Sequence, residues 1–448
     1  MDEDAKGAPG VDINKLLDEG EWTPFQKLIL AVLALAYLTD GVANQSIGLA
    51  IPALVQDWGL PREAFASIAA IGLVGLTIGA LVGGVLGDRF GRRTMMIVST
   101  AFFGVMTMAQ AWASGPADLL ILRFLDGLGI GAMIPNGAAM ISEFTPRPKR
   151  AFALSIGMSF IAVGAMVSGV VGNLIIEPYG WEGMFLVLGG IAIFAALVLL
   201  VFLPESPVYL ANSGASQAKL RAVARRCGLV VGEGMITASD PRAGVLRRKP
   251  LSALFEAKVA SSTVFLWIAF FFCLLANYAM FSWVPAMLAG LGFALSLTGL
   301  GMTALSFGGI LGGMGCGWLI SKCGSRGVVV MMAAGGVVAA LALGLLIRSG
   351  VQSFATILAF LFVIGIFCSG LLNGLYTFSA FIYPDSARST GVGAAAAAGR
   401  IGAILSSWAG VAALSFGGAS GYFMLIAASL AISLVMVALI KQQISKEA

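Results

Sequence analysis

Four charged side chains sit where a charge is costly. Asp40, Arg123, Asp126 and Arg400 each lie inside a long apolar run. A carboxylate deep in hydrocarbon costs several kcal/mol unless it is paired or wetted, so an ionisable residue there is read first as part of a transport path or proton relay. A carboxyl group taken out of water holds its proton more readily, and could take one up on one side and release it on the other. A buried guanidinium stays charged and offers a planar fork that fits a carboxylate. The spacing of Arg123 and Asp126 puts them on one helix face, where they can pair. The same argument places Asn44 one turn above Asp40.

These residues need a scaffold that crosses a bilayer. The chain of 448 residues is 59% hydrophobic and 11% charged, against about 25% charged in soluble domains. With ~20 apolar residues needed per crossing, the runs read as twelve spans: 27–55, 64–87, 94–113, 117–141, 150–174, 182–203, 262–289, 298–320, 327–347, 354–380, 388–413 and 418–440. The expected class is an all-α integral membrane protein, with six-helix bundles at 27–203 and 262–440 around a central cavity. A polar tail (1–26, without the marks of a cleavable signal and with room for a short surface helix at its end), a linker loop (204–261) and a second tail (441–448) flank them. Of 27 Lys and Arg, only Arg62 and Arg348 fall on the side away from the termini, and Arg123 and Arg400 fall within spans. The asymmetry predicts a multi-pass inner (plasma) membrane protein with both termini cytosolic. The basic linker then reads as a topology anchor near anionic lipid, not a nucleic-acid site. At ~1.5 Å per residue, Asp40 lies about 20 Å and Arg400 about 18 Å from the cytosolic surface. Asp126 shares that level, and Arg123 lies one turn nearer the outside.

The halves echo each other. Gly84-Val-Leu-Gly-Asp88-Arg89-Phe-Gly91-Arg92-Arg93 follows span two, and Gly317-Trp-Leu-Ile-Ser321-Lys322-Cys-Gly324-Ser325-Arg326 follows span eight. Two parallel repeats with a midplane site between them are the organisation of a secondary transporter. Asp88 can cap a neighbouring helix start, and the arginines can pair with acids on the facing half, latching the cytosolic side. The second copy, with Ser321 and Ser325 in place of Asp88 and Arg92, predicts a weaker latch. Small-residue faces at Gly75–Gly79–Gly83–Gly87 and Gly308–Gly312 predict close helix contacts.

The first copy resembles the hallmark loop of the major facilitator superfamily. Asp40-Gly41, Ile47-Gly48, Pro52-Ala53-Leu54, Arg123–Phe144, Pro204–Leu210 and Tyr383–Ile404 resemble the aromatic acid/proton symporters within it. The resemblance implies proton-coupled import of a small aromatic carboxylate by alternating access, with Asp40 as the main proton carrier and Asp126 and Glu143 as further candidates. Glu143 could equally be an inner-gate partner or a helix-end acid facing Lys149 or Arg150. Arg400 is the first candidate for the substrate carboxylate and Arg123 the second. Asn44, Asn277, Tyr278, Asn373 and Tyr376 could complete the pocket through amide, phenol and ring contacts. Gating falls to Gly84, Asp88, Arg89, Gly91, Arg92, Arg93 and Arg388. The family often carries Asp-Gly-x-Asp in span one, whereas Ala43 stands at the second acid here. With no histidine in the chain, an imidazole relay is excluded.

No phosphate loop, nucleophile–base set or metal-ligand cluster is legible, so no enzyme activity and no cofactor are expected. The expected partners are substrate, protons and lipid, with no nucleic acid, and the chain is expected to be a monomer. A sugar or other organic-acid symporter and a drug or aromatic efflux antiporter remain open; a transporter-like receptor would need a signalling appendage that neither the tail nor the linker is expected to supply.

Overall fold

A computed structural model describes residues 11–213, 216–229, 236–237, 260–351, 353–383 and 388–440. A short helix, α1 (Ile13–Glu19), leads to α2 (Pro24–Trp58). Thr23 starts α2 with a reciprocal cap: its hydroxyl accepts from Gln26 N, and Gln26 Oε1 accepts from Thr23 N at 2.8 Å, two first-turn donors satisfied at once. Then come α3 (Ala66–Phe90), α4 (Arg92–Ala109), α5 (Pro116–Phe144) and α6 (Arg150–Phe202). Two short helices, α7 (Pro207–Asn212) and α8 (Gln217–Arg226), precede α9 (Ala260–Gly290), α10 (Leu295–Cys323), α11 (Ser325–Arg348), α12 (Phe354–Ile382) and α13 (Arg388–Leu439).

Among the described residues, nine helical stretches are long and apolar enough to cross a membrane. Two of them are each a pair of crossings. The chain reverses within α6 at Gly180 (φ 69°, ψ −174°) and within α13 at Gly418 (φ 57°, ψ −157°), conformations open to glycine and hostile to a Cβ. The remaining crossing is α5 (29 residues), which carries four charged side chains, Asp118, Arg123, Asp126 and Glu143. Twelve crossings in two six-helix halves result.

Glycine faces set the packing within each half. A Cβ at Gly75, Gly79 or Gly83 of α3 would run into the α5 backbone at Phe124, Leu128 and Ala132. The C-terminal half repeats the device: Gly308 and Gly312 of α10 lie against the α12 backbone at Phe362 and Ile366. In lipid, where apolar side chains gain little from meeting each other, such close backbone approach supplies the attraction.

Contacts between the halves gather at the end away from the termini. Gly48 of α2 abuts Phe281 and Ser282 of α9, and Gly169 of α6 abuts Gly299 of α10. Gly290 lies beside the Arg62 guanidinium, and the Ser415 hydroxyl donates to Glu63. Toward the termini-bearing end, Asn373 and Tyr376 of α12 are exposed, Tyr376 keeping 40% of its surface. The molecule is closed at the far face and open toward its termini.

The tail and linker are not loose appendages where they are described. Val11 and Asp12 pair in parallel with Ile236 and Thr237. Ile13 and Leu17 of α1 are buried with Leu220, Ala224 and Cys227 in one apolar cluster that continues into the base of the N-terminal half. Asp18 takes the Arg150 guanidinium at 2.5 Å.

Candidate functional site

Asp40 occupies the middle of α2 and is 2% exposed. Its Oδ1 is buried without a hydrogen-bond partner among the described residues. Facing it from the other half is Arg400, in the first segment of α13 and partly exposed. Its charge acts on Asp40, Tyr278 and Tyr376, and its Nη1 is likewise buried without a partner. Tyr278 of α9 reaches the Asn44 side chain, one turn along α2 from Asp40. Tyr376 of α12 packs edge-on against Phe270, centroids 5.0 Å apart at 76°. Asp40 and Asn44 from one half and Tyr278, Tyr376 and Arg400 from the other thus converge on the seam. A buried charge with unused hydrogen-bonding capacity is costly unless something else completes it. Here that completing group can be a proton on the acid and an anion on the guanidinium.

Asp126 is built differently. It is fully buried and has every partner it needs. Arg123 Nη1 donates to it at 2.8 Å, Thr107 Oγ1 at 3.0 Å and Gln110 Nε2 at 3.4 Å. Arg123 Nη1 also donates to the Ala43 carbonyl at 3.3 Å and to Ser46 Oγ at 3.2 Å. Position 43 therefore contributes a backbone oxygen to this cluster. The i, i+3 pairing of Arg123 with Asp126 is legible in sequence. Thr107, Gln110 and Ser46 were missed, and the only signal was a neutral polar residue in an apolar run. A small cleft with about 280 Å³ of empty volume, open mouth included, touches this cluster between α2, α3, α5 and α9. Only about 10 Å³ of it can take the centre of a water molecule.

Two amides expected in the pocket each place a bond on their own helix. Asn277 is 3% exposed and donates to the Cys273 carbonyl at 2.9 Å. Asn373 donates to Ser369 O at 3.1 Å.

The loop of the first repeat forms a dense network within its own half. Its arginines were expected to meet acids of the facing half when the cytosolic side is shut; with that side open, their partners lie in their own half. Arg92 pairs with Glu143 of α5 at 3.0 Å and with Asp88 at 3.5 Å. Arg93 Nε and Nη2 donate to the carbonyls of Leu203 (2.5 Å) and Leu200 (2.8 Å). Glu205 Oε1 accepts from the N–H groups of Arg93 (3.0 Å) and Ser206 (2.9 Å), capping the start of α4. Ser206 donates to Glu143, and Tyr209 donates to the Arg89 carbonyl at 3.2 Å. The reason is geometric: the α3–α4 corner rests on the ends of α5 and α6, while the facing half is parted from it at this end. Glu143 is therefore held by Arg92 and Ser206 rather than by Lys149 or Arg150. Gly91 (φ 97°) and Gly324 (φ 84°) turn the two equivalent corners. In the second, Arg326 donates to the Ala438 carbonyl at 2.7 Å, and Lys322 lies over the Trp318 ring at 4.2 Å. Gly84 faces Pro135. Arg388 opens α13, and its side chain, like that of Ser321, lies outside the described residues.

A bundle of twelve helices in two halves, with unpaired polar atoms meeting on the seam, defines a secondary transporter. The chain belongs to the Major Facilitator Superfamily, whose family profile matches residues 33–347 and 266–447. It is 31% identical over 418 residues to the gallate transporter of Pseudomonas putida, covering 91% of this chain and 90% of that one. It is 29% identical over 407 residues to the 4-hydroxybenzoate transporter PcaK of Acinetobacter baylyi, covering 90% and 88%. Among solved structures, the inward open conformation of the xylose transporter XylE from E. coli superposes with a TM-score of 0.73, covering 94% and 98% at 17% identity. At that identity the likeness speaks for the fold alone. Membership of this superfamily, with relatives named as transporters, makes the chain a multi-pass membrane transporter and not an enzyme.

Proposed function

We propose that the chain imports a small aromatic carboxylate together with protons, by alternating access, as a monomer in the plasma (inner) membrane with both termini cytosolic. One observation carries the site: Asp40 and Arg400 come from opposite halves and present buried, unpartnered atoms to a common seam. Arg400 holds the substrate carboxylate. Tyr278, Asn44 and Tyr376 supply hydroxyl, amide and ring surface for an aromatic ring and its polar substituents. Asp40 carries the proton. The halves 27–203 and 262–440 rock about this level, and the 204–261 linker joins them. Names borne by relatives, gallate and 4-hydroxybenzoate transporters, support the substrate class. The lysine and arginine asymmetry supports the orientation. With the termini inside, the conformation described above is the inward-open one.

The roles of the other candidates divide. Asp126 and Arg123 hold each other, so Asp126 is a structural counter-ion rather than a proton carrier. Glu143 serves the cytosolic network with Asp88, Arg89, Gly91, Arg92 and Arg93, and Arg388 stands at the cytosolic mouth as a gating residue. A sugar substrate would leave the Arg400 fork without an anion to match it.

Purified protein in proteoliposomes, given an inward-directed proton gradient and labelled 4-hydroxybenzoate, a phenylpropanoid acid or xylose, tests the reading. Accumulation of an aromatic acid that collapses when the gradient is dissipated is expected. Accumulation of xylose with neither acid taken up would overturn it.

A further inference from the structure

The geometry points to a second carboxylate-binding subsite, on the far-face side of Asp40, built on the free edge of Arg123. It rests on the reading that the chain carries an aromatic carboxylate.

Arg123 is 4% exposed, and among the described residues all its hydrogen bonds leave from Nη1, to Asp126, Ala43 and Ser46. Its Nε is buried and has no partner. The Nε–Nη2 edge, one of those a carboxylate can grip with two parallel bonds, is thus unused. Helix α3 passes that edge at Gly72. A Cβ there would sit 3.5 Å from Nε and 3.6 Å from Nη2, so the glycine leaves the edge bare. The small cleft opens at the same place. Ala69 and Leu73 of α3 line it beside Arg123, with Gln45 of α2 and Ser282 of α9. Gln45 is 4% exposed, and its Oε1 is a second buried atom without a partner. Two unsatisfied polar side chains therefore face one cavity at the seam between the halves.

In this conformation the cavity can hold a water and nothing larger, because α2 and α9 meet at Gly48 against Phe281 and Ser282. When the far face opens, α9 withdraws from α2, and the cavity becomes the floor of a vestibule. An arriving aromatic acid lays its carboxylate on the Nε–Nη2 edge, and Gln45 Oε1, an acceptor, is left for a hydroxyl of the substrate. Asp126 already offsets the Arg123 charge, so the anion is held lightly and passes inward to Arg400. The subsite loads the transporter from one side only.

That sidedness gives the test. Gly72→Ala adds a methyl at ordinary van der Waals distance from the guanidinium, so it covers the edge without disturbing the backbone. Arg123→Lys keeps a charge for Asp126 and removes the fork. Uptake and efflux of labelled 4-hydroxybenzoate are measured in proteoliposomes of defined orientation, with thermal unfolding as a check on each variant. In Gly72→Ala, KM from the far face is expected to rise about tenfold, the loss of one charge-assisted bond, while KM from the termini-bearing face stays within twofold. Arg123→Lys is expected to show the same one-sided shift, and decides the matter if Gly72→Ala does not fold. An unchanged far-face KM, or an equal rise on both faces, overturns the subsite and leaves the Arg400 site standing. Absence of aromatic-acid transport by the unaltered protein overturns both.

Discussion

The molecule buries two acid–arginine sets at neighbouring depths and completes them in opposite ways. Arg123 and Asp126 sit one turn apart on a single helix, 2.8 Å from each other, with Thr107 and Gln110 taking up the remaining capacity of the carboxylate. Asp40 and Arg400 are split between the halves, and each keeps a buried atom without a partner among the described residues. Both sets bear the cost of taking charge out of water. In the first, the carboxylate is completed by groups of one half that travel together, and only the Nε–Nη2 edge of Arg123 is left over. The second can be completed only by what arrives. A charge satisfied within one rigid body is scaffold, and a charge left open across a moving seam is a site.

The largest expected effect breaks the open set. Asp40→Asn is isosteric but cannot cycle a proton, so uphill accumulation should fall to background while substrate exchange across the membrane at equal pH stays measurable. Full accumulation by this variant would mean that the proton travels elsewhere. The closed set should fail in a different currency. Asp126→Asn leaves the Arg123 charge buried without its counter-ion, a loss of about 3–5 kcal/mol when one partner of a buried pair is removed. A marked fall in the midpoint of thermal unfolding in detergent is expected. A variant as stable as the parent but unable to couple protons would move Asp126 into the transport machinery. Third in size, Arg400→Lys keeps the charge and loses the fork. KM for 4-hydroxybenzoate should rise about tenfold to a hundredfold, the worth of roughly 1.5–3 kcal/mol for a hydrogen bond to a charged group, with little change in unfolding temperature. A fall in stability instead would place Arg400 with the scaffold.

The contrast between the two sets was half visible in the sequence. Charges within apolar runs announce themselves, because nothing but function or pairing keeps them there, and i, i+3 spacing is enough to join Arg123 to Asp126. The twelve crossings were legible for the same reason, including the breaks read at 175–181 and 414–417, although not the residues, Gly180 and Gly418, that turn the chain there. What could not be read was direction. Asn277 and Tyr278 are adjacent in sequence, yet one amide turns back to Cys273 while the neighbouring phenol reaches Asn44. The partners of the α3–α4 corner depend on which elements end near it, and on the end at which the halves are parted. Glu205, just beyond the end of α6, caps the start of α4, and no spacing in the sequence joins it to that corner. Neutral polar residues gave the weakest signal of all. Thr107 and Gln110 lie in or just beyond a span where a hydroxyl or amide is inexpensive, since it can always bond its own helix.

Thr107 offers the finest test of the difference between the sets. Its hydroxyl donates to Asp126 Oδ1 at 3.0 Å and is wholly buried. Thr107→Val keeps the shape and removes the donor, leaving Arg123 and Gln110 on Oδ2. A lost bond to a buried charged group suggests about 1.5–3 kcal/mol, but polar contacts within membrane bundles are worth nearer 0.6 kcal/mol on average. The smaller figure should apply here, because Arg123 holds the carboxylate in place and the pair remains neutral as a unit. The expected result is a slight fall in the unfolding midpoint, with KM for 4-hydroxybenzoate and the dependence of uptake on the proton gradient both unchanged. A change in the gradient dependence, without a change in stability, would show that the closed cluster communicates with the seam, and the division between scaffold and site would then have to be redrawn through Arg123.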